Sequence, residues 1–227
     1  MREKTAKKLL KKVIEDYDNI SEEFSQTREN LVWKDFDEIL PYLKDKTRLA
    51  DLGCGNGRLY KFIQEHNPNV NYIGIDNNEN LLKNARNKDK DRFIFGDLTE
   101  IPLNMTSVDV AAAIASFHHL PSVKLREKSL NEIRRVLKDD GVLIMTVWNL
   151  FREKYKKYVW KGYLRWLCTL GKYDKKDTFI PWSDSGIKRY YYAFKPAELK
   201  KLLEKSGFEI IKENMNENIL FICKKKK

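Results

Sequence analysis

From residue 47 onward the chain alternates short apolar runs with stretches of helical spacing. Residues 48–52 read as a short buried strand, a glycine cluster follows, and 59–65 carry apolar side chains at helical intervals. The unit recurs with a strand at 71–76, a helix at 79–86 and a third strand at 92–95 before a loop containing Pro102. Residues 108–115 form a continuous apolar run suited to a central strand, 124–137 an amphipathic helix, and 141–148 another buried strand. Such repetition predicts a mostly parallel sheet covered on both faces. At the tail, a helix at 196–205 precedes strands at 208–212 and 219–223, joined by an Asn-rich turn at 213–218, which predicts a closing antiparallel hairpin. The expectation is one α/β domain over 1–227 with a seven-stranded sheet. It divides into an N-terminal helical segment (1–46), a core (47–148), an insertion (149–192) and a C-terminal helix and hairpin (193–227).

Composition sharpens this picture in two places. A chain of 227 residues, 42% hydrophobic and 12% aromatic, suits one packed globule rather than a disordered or fibrous chain. The 44 Lys and Arg exceed the 33 Asp and Glu, and a net charge of +11 suits a polyanionic partner such as nucleic acid. A Lys-rich surface that only maintains solubility is the plainer alternative. The insertion concentrates the excess: Arg152, Lys154, Lys156, Lys157, Lys161 and Arg165 alternate with Tyr155, Tyr158, Trp160, Tyr163 and Trp166. No run approaches the roughly 20 apolar residues of a membrane span, so a cytoplasmic location without membrane contact is expected. Cys54, Cys168 and Cys223 are too scattered to suggest a disulfide framework or a metal site.

The strongest chemical signal is Asp51-Leu52-Gly53-Cys54-Gly55-Asn56-Gly57, where the first strand meets the first core helix. Glycines there let the backbone bend sharply and approach a ligand closely. A dinucleotide fingerprint needs its third glycine one place later, where Arg58 stands, and no Gly-Lys-Ser/Thr follows, which disfavours NAD and ATP. Asp76 ends the second strand about 20 residues on, where a carboxylate can accept from two ribose hydroxyls. Asp97 and Leu98 follow the third strand, suited to an adenine amine and ring. Asp51, Asp76 and Asp97 would thus be three ligand-facing acids, with Asn77 and Ala115 beside them; singly, Asp51 and Asp97 read better as cap or turn residues, and Asp76 is a feature that NAD enzymes share. Together these motifs resemble those of class I S-adenosylmethionine-dependent methyltransferases. The resemblance implies a Rossmann-like fold and S-adenosylmethionine as cofactor.

In that fold the acceptor approaches over the end of the fourth strand, here Ala115 to Pro121, which holds His118 and His119, two of the three histidines. Either ring is a candidate. Tyr17, Phe24 to Arg28, Trp148, Pro181-Trp182 and Lys188 to Tyr192 add unusual clusters. With the His pair they resemble the tRNA wobble-uridine carboxymethyl methyltransferases, including the methyltransferase domain fused to an AlkB-like oxygenase in animals. Tyr192, where that family often has His, Asn149 and a shorter insertion depart from the pattern. The resemblance implies methyl transfer to the carboxylate of 5-carboxymethyluridine in tRNA, and a small zinc-binding activator that adds a strand to the sheet edge.

On this reading Arg28 orients the acceptor carboxylate, and Arg189 holds that group or a neighbouring phosphate. His118 or His119 bonds the uracil edge or ribose. Tyr17, Trp148, Tyr191 and Lys188 enclose the base and its backbone, although core packing explains the aromatics equally well. A small-molecule methyltransferase of the same fold and a non-catalytic RNA-binding module remain the competing readings.

Overall fold

The computed structural model describes residues 1–28, 33–183 and 185–226. Residues 29–32 of the expected N-terminal helical segment, 184 of the insertion and 227 of the lysine tail lie outside them. The main sheet contains β1 (Arg48–Leu52), β2 (Asn71–Asp76), β3 (Phe93–Phe95), β4 (Val108–Ile114) and β5 (Leu137–Trp148). These pair in parallel in the order β3-β2-β1-β4-β5. A second sheet, inside the insertion, pairs β6 (Asp177–Pro181) with β7 (Lys188–Tyr192). The main sheet is closed by the antiparallel hairpin of β8 (Phe208–Met215) and β9 (Asn218–Lys225), with β9 against β5.

The central strands are apolar throughout because both of their faces are buried. Ala111 and Ala113 of β4 join one core with Leu143, Met145 and Phe221, while Val110, Ala112 and Ile114 join the other with Leu49, Ile144 and Ile222. This is the period-two alternation of a strand sandwiched between two layers. Side chains such as Leu143 and Ile144 are fully buried, a state that stabilises by about 1.5–3 kcal/mol each. The layers are made by α2 (Arg58–His66), α3 (Glu79–Arg86), α4 (Val123–Val136) and α6 (Pro196–Lys205).

Helix α1 (Glu3–Arg28) crosses the ends of the strands and is tied down on both sides. Towards α3, the amides of Asn78, Asn80 and Asn84 donate to the Ile14 carbonyl (3.3 Å), the Asp18 carboxylate (3.2 Å) and the Ser25 hydroxyl (3.0 Å). Towards β7, Arg189 donates to the Tyr17 hydroxyl at 3.2 Å. Among the described residues no helix is long and apolar enough to cross a membrane.

The structure corrects several expected boundaries. Leu137 begins β5 rather than ending a helix: it pairs with Val108, and Lys138 reaches Asp109 at 2.6 Å, extending the strand downward from Gly141. The fourth strand stops at Ile114 because Ala115 turns to a positive φ of 54°. The C-terminal turn is shorter than expected, since pairing runs to Met215 opposite Ile219, and a bulge at Ile210/Lys212 absorbs the offset. The insertion holds not only basic and aromatic residues but α5 (Glu153–Cys168) and the β6–β7 hairpin. Gly162 explains how they dock, because a Cβ there would lie 2.4 Å from the Asp177 carbonyl oxygen.

Candidate active site

A cavity of about 140 Å³ opens at the ends of β1, β2 and β4, beneath α1. Its floor is the glycine turn. Gly53, Gly55 and Gly57 have φ of 79°, 55° and 76°, a region costly for any residue with a Cβ. A Cβ on Gly53 would stand 2.3 Å from that of Ser116, whose hydroxyl donates to the Leu52 carbonyl at 2.6 Å. The turn is therefore welded to the loop after β4. Gly53 and Gly55 line the cavity with Cys54, whereas Gly57 does not: it caps α2 and lets the Phe93 ring approach within 2.8 Å of where its Cβ would be.

The three acids separate into two roles. Asp76 lines the cavity and accepts from the amides of Gly55 (2.8 Å) and Asn78 (2.9 Å). Burial pushes its carboxyl up to about 6 against the pull of those amides. Asp97 and Leu98 also line it, with Asp97 held by Asn77 (2.9 Å) and by the Thr99 amide (2.7 Å) and hydroxyl (2.6 Å). Asp51 does not face the cavity. It lies behind the turn, 2% exposed, accepting from the Tyr72 hydroxyl at 2.6 Å, and burial pushes its carboxyl up to about 7. The expectation of three ligand-facing acids is thus corrected to two and a buttress.

On the opposite wall the His pair divides. His119 Nδ1 lies 2.7 Å from the Tyr190 carbonyl, which can only accept, so that nitrogen carries the proton. Its Nε2 then accepts from the Tyr17 hydroxyl at 3.0 Å, and Tyr17 accepts from Arg189. Burial, with Arg189 nearby, holds His119 down at about 3, so it stays neutral with both nitrogens engaged. His118 is 1% exposed; its Nδ1 accepts from the Trp148 amide at 3.2 Å, which leaves the proton on Nε2. Among the described residues that Nε2 has no partner. Burial and the neighbouring His119 and Arg189 push His118 well below the usual histidine range. His118 is thus a neutral donor with its bond unmade.

Arg189 is a deeply buried cation. Only 4% exposed, its guanidinium lies 4.5 Å from the Trp182 ring centroid, 5.3 Å from Tyr191, 5.6 Å from Tyr17 and 5.7 Å from Trp148. Among the described residues no carboxylate pairs with it, and its Nε is buried without an acceptor. Tyr191 stacks on Trp148 (4.9 Å, 22°) beside both histidines. Arg28 sits at the mouth, 5.0 Å over Trp182, and lines both the cavity and an adjoining groove with Trp148 and Arg189. Lys188 faces away from the cavity, as expected of a strand neighbour of Arg189.

Of the cavity residues absent from the expected site, Arg58 is the charged one. Arg58 at the start of α2 stacks 4.4 Å over Trp33, and its Nη1 is buried without a partner. Burial, and Arg28 nearby, pull it down to about 10. A cation in the first turn opposes the helix dipole, and that misfit was the available signal. The glycine cradle, the Asp76 and Asp97 carboxylates and this orphaned cation fit a ligand carrying a ribose, an adenine and a carboxylate.

Comparison with known proteins agrees. A family model described as a methyltransferase domain matches residues 50–145. A protein of Encephalitozoon cuniculi bearing a methyltransferase name is 30% identical over 207 residues, 90% of each chain. The tRNA (carboxymethyluridine(34)-5-O)-methyltransferase of Schizosaccharomyces pombe is 27% identical over 221 residues, covering 92% of this chain and 94% of that one. Among solved structures, a Methanosarcina mazei SAM-dependent methyltransferase superposes with a TM-score of 0.72 at 20% identity, over 86% of this chain and 98% of that one. A Haloferax volcanii methyltransferase in complex with the activator Trm112 gives 0.69 at 16% identity, over 93% and 98%. Relatives that match along nearly their whole length and a glycine turn shaped for the methyl donor lead to one statement: the chain belongs to the S-adenosylmethionine-dependent methyltransferases.

Proposed function

We propose that the chain methylates tRNA, esterifying the carboxylate of 5-carboxymethyluridine at the anticodon wobble position. The observation that carries this reading is Arg189: a buried guanidinium, ringed by aromatics and with no carboxylate pairing with it among the described residues, calls for an anionic acceptor group. A desolvated cation left unpaired is costly, and a bound carboxylate removes that cost. The adjoining groove supports a large acceptor, since Lys154, Tyr155, Lys157 and Tyr158 line it from the cavity mouth outward. Rings and cations so interleaved suit the nucleotides flanking an extruded base. A tRNA acceptor is in keeping with a cytoplasmic location.

When bound, S-adenosylmethionine supplies an electrophilic methyl group on a sulfonium. Asp76 would hold its ribose hydroxyls, Asp97 and Leu98 its adenine, and Arg58 with the Gly53–Gly55 turn its carboxylate. The acceptor carboxylate, with an ordinary pKa near 4, is ionised at neutral pH, so the protein need not supply a base. Arg189 anchors one carboxylate oxygen and leaves the other free to react. His118 donates from Nε2 to the acceptor, while Tyr17 and His119 hold Arg189 and α1 in place. Trp148 and Tyr191 enclose the base and Arg28 meets the chain at the mouth, reversing the expected emphasis between the two arginines. Correct placement of the reacting groups accounts for roughly 7–11 kcal/mol of barrier lowering in well-aligned systems.

The outer strand β3 bears Phe95, 58% exposed, and the loop beyond carries Met105, 68% exposed. The free edge of β3, with its exposed Phe95, supports a small activator adding a strand there. The test is methyl transfer from labelled S-adenosylmethionine to tRNA lacking the modification, with and without a candidate activator, followed by nucleoside mass spectrometry. A methyl ester on 5-carboxymethyluridine is expected. Label entering small metabolites but no RNA would overturn the reading.

A further inference from the structure

Helix α1 has a second exposed flank, and it is not patterned like the rest of the helix. On one side Lys7 pairs with Glu3 at 2.7 Å and Lys11 with Glu15 at 3.4 Å. On the other, Lys4, Lys8 and Lys12 repeat every four residues, a like-charge ladder that costs an isolated helix about 0.2–0.5 kcal/mol per step. Lys4 also stands near the positive end of the helix dipole. The arrangement is unfavourable for the helix alone.

The ladder forms one wall of a groove of about 1100 Å³. Arg2, Lys4 and Lys8 face Arg165 from the end of α5, Lys172 from the turn after it, and Lys188 from β7. Among the described residues none of these six has an ion-pair partner. Among the described residues the one carboxylate on the groove is Asp16, which pairs with Lys12 at 2.7 Å. Arg165 lies 4.4 Å over the Phe179 ring, and its Nη1 is buried without an acceptor. The groove therefore has a concave shape, a charge of one sign and an unmade hydrogen bond.

We infer that this groove grips the phosphodiester backbone of the RNA substrate at a distance from the methylated nucleotide. The inference rests on the proposed tRNA acceptor. Arg2 to Lys12 spans about 15 Å along the helix axis. At one charge per roughly 3.4 Å of a helical strand, that length matches about four phosphates. The two sites share their walls: α1 lines the acceptor cavity with one face and the groove with another, and on β7 Lys188 faces the groove while Arg189 faces the cavity. An RNA with one nucleotide against Arg189 can continue over the outer flank of α1, where its phosphates meet Arg2, Lys4, Lys8 and Lys172, which have no ion-pair partner among the described residues.

The experiment compares the full chain with a Lys4→Glu/Lys8→Glu/Lys172→Glu variant and with a charge-matched control, Lys90→Glu/Lys128→Glu/Lys201→Glu, all at exposed positions. Unmodified tRNA binding is followed between about 50 and 200 mM salt, alongside methylation kinetics and calorimetry of S-adenosylmethionine. In the groove variant the log–log salt slope becomes shallower by about two to three. Its KM for tRNA rises at least about tenfold, while kcat and cofactor affinity stay within about twofold of wild type. The control shifts far less. Equal slopes and KM for both variants would overturn the groove while leaving the tRNA reading intact. Wild-type binding that the groove variant loses, without any methylation of tRNA, would support the groove and overturn the acceptor. Groove-dependent binding to vesicles of anionic phospholipid, with no binding of tRNA at low salt, would overturn both.

Discussion

The wall of the cavity at the ends of β1 to β3 and the wall facing it are built from different materials. The first is mostly backbone: left-handed glycines, amides aimed at Asp76, and a turn pressed against Ser116. The second is mostly side chain: Tyr17 from α1, His118 and His119 after β4, Trp148 from β5, and Arg189 and Tyr191 from β7. Tyr17 and His119 are 102 residues apart, and Tyr17 and Arg189 are 172 apart. A backbone wall fits any protein that uses the same ligand and tolerates no added atoms. A side-chain wall is where the choice of acceptor is written, and its weak point is the loss of a charge or donor.

The sharpest test of that division is Arg189→Ala. Removing one partner of a buried charge interaction costs about 2–5 kcal/mol, so kcat/KM for tRNA is expected to fall roughly thirty-fold to several-thousand-fold. Calorimetry should find S-adenosylmethionine binding within about twofold of wild type. A parallel loss of cofactor affinity would mean that the two walls are one. Gly53→Ala attacks the other side: a Cβ 2.3 Å from that of Ser116, at a φ of 79°, should cost about 2–4 kcal/mol through overpacking and backbone strain. It is expected to lower the melting temperature and cofactor affinity together, and unchanged values of both would show that the turn can yield.

His118→Phe preserves bulk and removes the free Nε2 donor. A hydrogen bond to a charged group is worth about 1.5–3 kcal/mol, so turnover should drop about ten- to hundredfold with the fold intact by circular dichroism. If His119→Phe gave the same kinetic loss with no loss of stability, the assignment of the two rings would have to be exchanged.

The smallest expected effect is a pH response of opposite sign in the two walls. His119, held near 3 against an ordinary 6.5, contributes stability that is complete above pH 6.5 and is lost as the pH falls towards 3. Asp51 and Asp76, raised to about 7 and about 6 from an ordinary 3.8, contribute stability that is complete below 3.8 and is lost as the pH rises through 6 to 7. Acidification from pH 7.5 to 5 should therefore loosen 116–120 and 188–192 while tightening 51–57 and 72–78. The changes should not exceed about 1.4 kcal/mol per pH unit and group. Hydrogen exchange corrected for its intrinsic pH dependence would read both, and a uniform response would erase the contrast.

The same division explains what could be read from the residues alone. The glycine turn, Asp76 and Asp97 are legible because a contiguous motif between a strand and a helix fixes their geometry. That Asp51 turns away was not legible, because it depends on Tyr72, which β2 brings under the turn. Which histidine remains free depends on the Tyr190 carbonyl, 71 residues away. The β6–β7 hairpin gave no alternating pattern, because Arg189 to Tyr192 are all buried, with the cavity on one side and the core on the other. The periodicity of α4 runs on through Leu137, and nothing in it marks where the chain turns into β5.

Of the three cysteines, Cys54 and Cys223 are buried and only Cys168, at the end of α5, is exposed. Burial also pushes the Cys54 thiol well above its usual range and Cys223 up to about 12, which keeps both from the thiolate form that alkylating reagents attack. The unaltered protein thus carries a single attachment point for a fluorophore, on the element whose last turn borders the basic groove. Changes in the colour or anisotropy of that label would report arrivals at the groove in real time, on a chain in which no residue has been replaced.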